Sequence, residues 1–310
     1  MNSKNIFTDK KLVVIFATIC CFLWGSAYPG VKIGYKLFCI KANDVPSEFV
    51  FAGYRFALAG IMVIVISIIL HKDMKIFNKK NVLQIIILGL TQTLLQYIFF
   101  YVGLGYTTGT KGSIMNSTGT FFSIILANFI YKNDKLNISR ILGCIIGFAG
   151  VIIANFNSDI LKFSFSFMGE GFIMLAALVL SASSIYGKRI TQKLDSMIVT
   201  GYQLFIGGIF LAGLGFVNGG NLSGFNVKAV TLLIYLALLS ATAFSLWAAL
   251  LKYNKVGIIS IFNFLVPIFG VLLSGIFLKE NIFEVKNLIA LILVCFGIVL
   301  VYAEKTKVKS

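Results

Sequence analysis

The chain has 310 residues, of which 58% are hydrophobic and only 12% charged, with a formal charge of +16. A soluble domain of this length keeps about a quarter of its residues charged to cover its surface, so half that share excludes an ordinary soluble enzyme and makes a bilayer the solvent. The basicity does not point to nucleic acid, because the lysines sit at the ends of apolar runs rather than on one face or stripe.

A hydrocarbon core of about 30 Å takes roughly 20 helical residues per crossing. Runs of that kind fall near 12–34, 48–70, 82–103, 109–131, 138–155, 169–187, 197–217, 229–251, 257–278 and 286–303. The expected fold class is therefore an all-α integral membrane protein with ten transmembrane helices. The first run is too long for a signal-peptide core and lacks an A-x-A site, so it reads as a retained helix. Barrel strands are excluded because the runs are continuous and not alternating. With both termini inside, eighteen of the 27 basic residues lie on the cytoplasmic side (among them Lys4, Lys75 and Lys309) and seven opposite, Lys162, Lys279 and Lys286 included. That bias places the protein as multi-pass in the cell (plasma or inner) membrane with both termini cytoplasmic. The lysine clusters at the helix ends are expected to meet anionic membrane lipids. The five cysteines show neither a disulfide framework nor metal spacing, and read as packing residues.

The chain also repeats itself. GYRFALAGIM (53–62) is echoed by GYQLFIGGIF (201–210), the stretch 111–136 by 256–282 with Asp134 set against Glu280 and Phe121 against Pro267, and 143–155 by 291–303. A duplicated unit of five helices is odd-numbered, so the second copy enters the membrane upside down. The expectation is a 5+5 inverted-topology repeat, 12–155 and 169–303, enclosing a midplane site as in transporters.

Phe22-Leu23-Trp24-Gly25-Ser26, Tyr54-Arg55-Phe56-Ala57-Leu58-Ala59-Gly60, and Pro267 with Leu278-Lys279-Glu280 resemble the EamA-type carriers of the drug/metabolite transporter superfamily. The resemblance spans about 12–303. It implies a central cavity lined by helices one to four and six to nine, with peripheral fifth and tenth helices that support a homodimer, and export of amino acids or related metabolites by alternating access. Phe121 in place of a proline, and Asp134 in place of a glutamate, depart from that pattern.

Candidate substrate-binding residues are those costly to leave in lipid. Arg55, seven residues into its span, could clamp a carboxylate, or it could pair with carbonyls or Glu48, or snorkel outward. Trp24, Tyr28, Tyr97 and Tyr202 place amphipathic rings on the cavity helices, whereas Tyr101 and Trp247 read as an interfacial belt. Gln96, Asn116 and Asn263 stand out because an amide has four bonding sites to satisfy. Gln92, Ser181, Ser183, Ser184, Gln203, Ser240, Thr242 and Ser260 mark a polar pathway that helix–helix hydrogen bonding would equally explain. Pro29 and Pro267 are hinge candidates or fixed kinks. Glu48 and Glu170 lie near outer helix ends.

No enzyme motif survives inspection. GYTTGTKGS (105–113) lacks the order of a phosphate-binding loop, His71 is the only histidine, and no intramembrane carboxylate pair is present. The expected protein is a secondary or facilitative carrier of small metabolites, not an enzyme, without cofactor or metal, whose partner is a small-molecule substrate and not nucleic acid. The alternative is a membrane-embedded enzyme or assembly factor acting on lipid intermediates.

Overall fold

The computed structural model describes residues 6–72, 78–107, 109–154, 156, 165–278 and 285–307. Asn155, Lys4, Lys75, Lys162, Lys279, Glu280 and Lys309, on which expectations above rest in part, lie outside them.

Among the described residues all regular structure is helical. In chain order, α1 is Lys10–Leu37, α2 Val45–Ile69 and α3 Lys79–Gly105, the last with a π turn at Leu90–Leu95. Gly109–Ser117 and Gly119–Ile130 together make α4, and α5 is Ile138–Ala154. A π turn at Phe167–Gly171 leads into α6, Phe172–Thr191, followed by α7 Ser196–Val217 and α8 Val227–Tyr253. Val256–Ser260, the 3₁₀ turn Ile261–Phe264 and Leu265–Leu278 make α9, and α10 is Val285–Lys307. Side-chain caps start several of them: Asp9 accepts from the backbone of Lys11 and Leu12, Asp44 from Ser47, Asn78 from Lys80, Asp195 from Met197 and Asn226 from Ala229. Each satisfies donors that the first helical turn leaves without a partner.

Among the described residues eight helices are long and apolar enough to cross a membrane, where ten crossings were expected; the apolar stretches Ile138–Ile153 and Leu288–Tyr302 are shorter than 18 residues. At about 1.5 Å per residue these two rise less than about 27 Å, slightly under the hydrocarbon thickness. They pack on each other along glycines, with Gly143 against Val301 and Gly297, and Gly150 against Ala290. Large apolar side chains such as Ile69, Phe129, Val217, Ile276 and Leu288 point outward, more than half exposed. That surface is suited to lipid and not to water.

The centre of the bundle is the α2–α7 pair. Gly60 lies on the backbone of Gly201 and Phe205, Gly208 on that of Ala57 and Gly53, and Gly215 on that of Pro46. Low numbers on α2 meet high numbers on α7, so the helices run antiparallel, and α5 and α10 do the same. Around them α1 packs on α8 and α9, α6 on α3 and α4, α2 on α8, α3 on α7, and α4 on α9. Exchanging α1–α5 with α6–α10 leaves this set of pairings unchanged.

The start of α1 and the last turns of α10 lie at one end of the bundle. The Tyr302 hydroxyl donates to the Lys10 carbonyl and Asn254 Nδ2 to the Phe7 carbonyl, while Lys72 reaches Asp195 at 3.8 Å. At the opposite end Asn221 N donates to Ser47 Oγ, and Glu170 accepts from Thr107 Oγ1 at 2.7 Å and pairs with Lys111 at 3.7 Å.

Candidate functional site

Arg55 is 4% exposed in the middle of α2. Its helix turns Ala52, Phe56 and Ala59 into the protein, and Arg55 shares that inward face. Nε donates to Ser240 Oγ on α8 at 2.8 Å, Ser240 Oγ itself donates to the Leu236 carbonyl at 2.8 Å, and the guanidinium carbon lies 5.0 Å from the Phe56 ring centre. The residue therefore faces inward and does not snorkel. Tyr35 packs edge to face on Phe51, and Tyr101 packs likewise on Phe49 of the same helix as Arg55. The Tyr97 ring lies tilted at 4.5 Å from that of Phe56 and 5.8 Å from that of Tyr101. Among the described residues only Nε of the guanidinium has a hydrogen-bond partner, which leaves the two terminal nitrogens to offer a paired-donor edge of the kind that reads carboxylates. Gln96, one residue before Tyr97, is 5% exposed, and its amide bonds to no described residue.

One helical turn beyond Ser240, Phe244 lies on the side of Arg55 toward the C-terminal end of α8. Its ring meets Phe56 at 6.2 Å and Trp24 at 5.5 Å, and Trp24 meets Trp247 at 5.1 Å, all edge to face. On the far side of this aromatic layer a cleft with about 30 Å³ of free space runs between α3, α6, α7 and α8. Gln92, Lys188, Thr191, Thr200 and Gln203 line it, with Phe244 and Trp247 as its floor. The π turn in α3 bears Gln92 and also Thr93, which donates to Gln203 Oε1 at 2.8 Å, so the backbone irregularity coincides with the cleft, as such bulges often do at functional sites.

The EamA-like transporter family matches the chain twice, over residues 11–156 and 167–303. The chain belongs to that family. Its relatives are transporters by name: the uncharacterized transporter YetK of Bacillus subtilis, 24% identical over 83% of this chain and 79% of its own, and an uncharacterized transporter of Archaeoglobus fulgidus, 24% identical over 86% and 89%. A chloroplastic WAT1-related protein of Arabidopsis thaliana is 22% identical over 84% of this chain and 62% of its own. One solved crystal structure, 14% identical, superposes with a TM-score of 0.77 over 95% of this chain and 99% of that one, a likeness of fold.

In this EamA-like chain the expected site residues divide into three groups. Arg55, Trp24, Tyr28 and Tyr97 lie on interior faces, Arg55 bonded to α8, Trp24 on Phe244 and Trp247, Tyr97 on Phe56 and Tyr28 with its ring on Gly270, while Gln96 is buried on α3. Tyr202 sits apart, packed with Ile85, Leu88 and Ile198 in a separate cluster. Asn116 and Asn263 are half-buried on the adjoining α4 and α9, and neither amide bonds to a described residue. Gly25 lies against Phe269 and Gly270, so the two prolines, Pro29 in α1 and Pro267 in α9, flank one crossing of those helices.

Two residues read as an interfacial belt are interior. Trp247 is 7% and Tyr101 4% exposed, because distance from a helix end says nothing about which side of the bundle a ring faces. Nor are all cysteines simple fillers, since Cys21 Sγ donates to the Phe262 carbonyl at 3.2 Å, in the 3₁₀ turn of α9. A buried ion pair was also overlooked. Arg140 Nη1 donates to Asp134 Oδ1 at 2.7 Å, both residues 1% exposed, and Asp134 Oδ2 accepts from Gly257 N in the first turn of α9 at 3.1 Å. The acid-to-base spacing of six across the α4–α5 turn was the available signal. Arg140 had been absorbed into the charge bias of the loops.

Proposed function

We propose that the protein is a secondary or facilitative carrier that moves amino acids or related small carboxylate metabolites outward by alternating access. The two matched segments are read as inverted repeats of five helices each, with the terminus-bearing end cytoplasmic in the cell membrane. The observation that carries this reading is that most of the helix pairings are kept when the halves are exchanged, the contacts of α5 with α9 and of α6 with α8 being among the exceptions, together with the antiparallel run of α2 against α7 and of α5 against α10. Such a relation gives two inverted arrangements of the same contacts comparable energies, the property alternating access needs. Arg55 is the substrate anchor: its Nε is held by Ser240, its remaining donors are uncommitted among the described residues, and Phe56, itself in contact with Tyr97, lies beside it. One fixed positive charge suits a zwitterion or monoanion better than a multivalent phosphate.

Proteoliposomes loaded with a panel of labelled amino acids and small carboxylates test this. Arg55→Ala is expected to cut flux at least tenfold, the worth of about one charge-assisted hydrogen bond, with the protein still monodisperse. Arg55→Lys should recover part of it, because an ammonium supplies charge without the planar fork. Flux unchanged by Arg55→Ala would remove the anchor. Single-cysteine accessibility that placed residues 156–168 on the same side as the C-terminal tail would end the inverted-repeat reading.

A further inference from the structure

The cleft beneath the aromatic layer is not part of the Arg55 site, and its chemistry is distinct. Lys188 stands in the last turn of α6, half-buried, with its ammonium donating to the Asn254 carbonyl and lying 5.1 Å from the Tyr131 ring centre. Among the described residues no carboxylate comes within ion-pair distance of it. Asp134, whose charge reaches it, is committed to Arg140 and to the α9 backbone. A partly desolvated ammonium satisfied only by a carbonyl dipole and a ring face lacks the counter-charge that normally accompanies it. Gln203 adds a second observation. It is 2% exposed and lines the cleft, its Oε1 is taken by Thr93, and its amide nitrogen donates to no described residue. Among the described residues no carboxylate lines the cleft, and its floor is two aromatic side chains.

We infer that this cleft is a second ligand station, on the terminus-bearing side, for an organic carboxylate with a flat apolar body. Lys188 is its anionic anchor, Gln203 a hydrogen-bond donor to the ligand, and Trp247 and Phe244 the surface on which the body lies. In the present conformation the free space holds about two waters, so the mouth must widen to admit such a ligand. Three side-chain bonds strap the C-terminal ends of α6 and α8 together beside the cleft: Lys188 to the Asn254 carbonyl, Gln192 Nε2 to the Lys252 carbonyl at 3.0 Å, and Lys252 Nζ to the Leu194 carbonyl at 3.1 Å. An arriving carboxylate competes with the Asn254 carbonyl for the Lys188 ammonium, so binding and release of one strap are a single event. α8 then joins the two stations, with Ser240 at the Arg55 site, Phe244 in the dividing layer and Trp247 in the cleft. That the ligand of the cleft is also the cargo rests on the carrier reading; that the cleft binds a carboxylate does not.

The test is equilibrium binding by the purified full chain in lipid nanodiscs, read by intrinsic fluorescence. The sequence has two tryptophans, Trp24 and Trp247, and they touch each other at the cleft floor. Benzoate is the probe and benzyl alcohol its neutral counterpart. Benzoate is expected to give a saturable change that benzyl alcohol does not, with affinity at least tenfold weaker in Lys188→Gln, largely kept in Lys188→Arg, and unaltered in Lys228→Gln, an exposed lysine at the opposite end. Gln203→Leu, a variant near in volume that retains the ammonium, should weaken binding by a smaller factor. Absence of saturable benzoate binding in the unaltered protein, or binding indifferent to Lys188→Gln in folded protein, would overturn the inference. Lys188-dependent binding without flux in proteoliposomes would leave the station standing and count against the carrier reading. Flux with Lys188-independent binding would do the reverse.

Discussion

Replacing Gly60 by valine is expected to abolish assembly of the bundle, seen as loss of the monodisperse peak in detergent and of membrane-inserted yield. A Cβ on Gly60 falls 2.4 Å from the Phe205 backbone nitrogen and 2.7 Å from the Gly201 carbonyl oxygen, positions that no side-chain rotation relieves. The same contact recurs along the pair, at Gly53 against Ala212 and at Gly208 against Ala57. With lipid as apolar as the helices themselves, close backbone approach supplies the attraction that the hydrophobic effect supplies in water. Overpacking in a well-packed core costs about 1–3 kcal/mol where side chains can move; here the obstruction is backbone, and α2 and α7 must separate. Gly213 is the control, since a Cβ there meets nothing within 4 Å. Gly213→Val should purify as the unaltered protein does, and equal behaviour of the two variants would refute the central role of the α2–α7 contact.

Asp134→Ala is expected to lower the thermal midpoint of the purified protein by roughly 10 °C. It strips Arg140 of the carboxylate 2.7 Å away in a place where both residues are 1% exposed, and removing one member of a buried pair costs about 3–5 kcal/mol because the other charge stays buried. It also deprives Gly257 N of its acceptor at the start of α9, a position where a carboxylate is favoured by the free backbone donors. The double variant Asp134→Leu/Arg140→Met should recover most of the loss, since replacing a buried pair by apolar groups is often neutral. Strict additivity of the two single losses in the double variant would show that the pair does not act as a unit.

These two sites differ in how far they could be foreseen. Gly60 and Gly208 fall within the echoed decapeptides 53–62 and 201–210, so the repeat pointed at both helices, but nothing in either segment says that they touch each other. Arg55 is a single cation in a long apolar run, and its inward orientation follows from the cost of facing lipid. Its partner Ser240 lies 185 residues away and was one serine among many. Lys188 and Arg140 were hidden by the very regularity that orients the chain: once basic residues are counted as loop charges, those buried at the bundle end look the same as those in water. Tyr202 shows a related limit of local pattern, since an aromatic on a cavity-bordering helix can point to a neighbouring seam, as it does toward Ile85 and Leu88.

The sequence by itself determined the solvent, the helical character, the duplication and the family, because lipid penalises every unpaired backbone group and every exposed charge, and so writes the spans and their polarity into local composition. Only the tertiary structure decided which helices meet, that the Asp134–Arg140 pair is buried, and that one aromatic layer from Phe56 to Trp247 lies between Arg55 and a cleft lined by Lys188. Those relations join residues up to more than 200 positions apart through backbone contact at glycines and edge-to-face packing of rings. Short-range patterns of hydropathy carry no record of them.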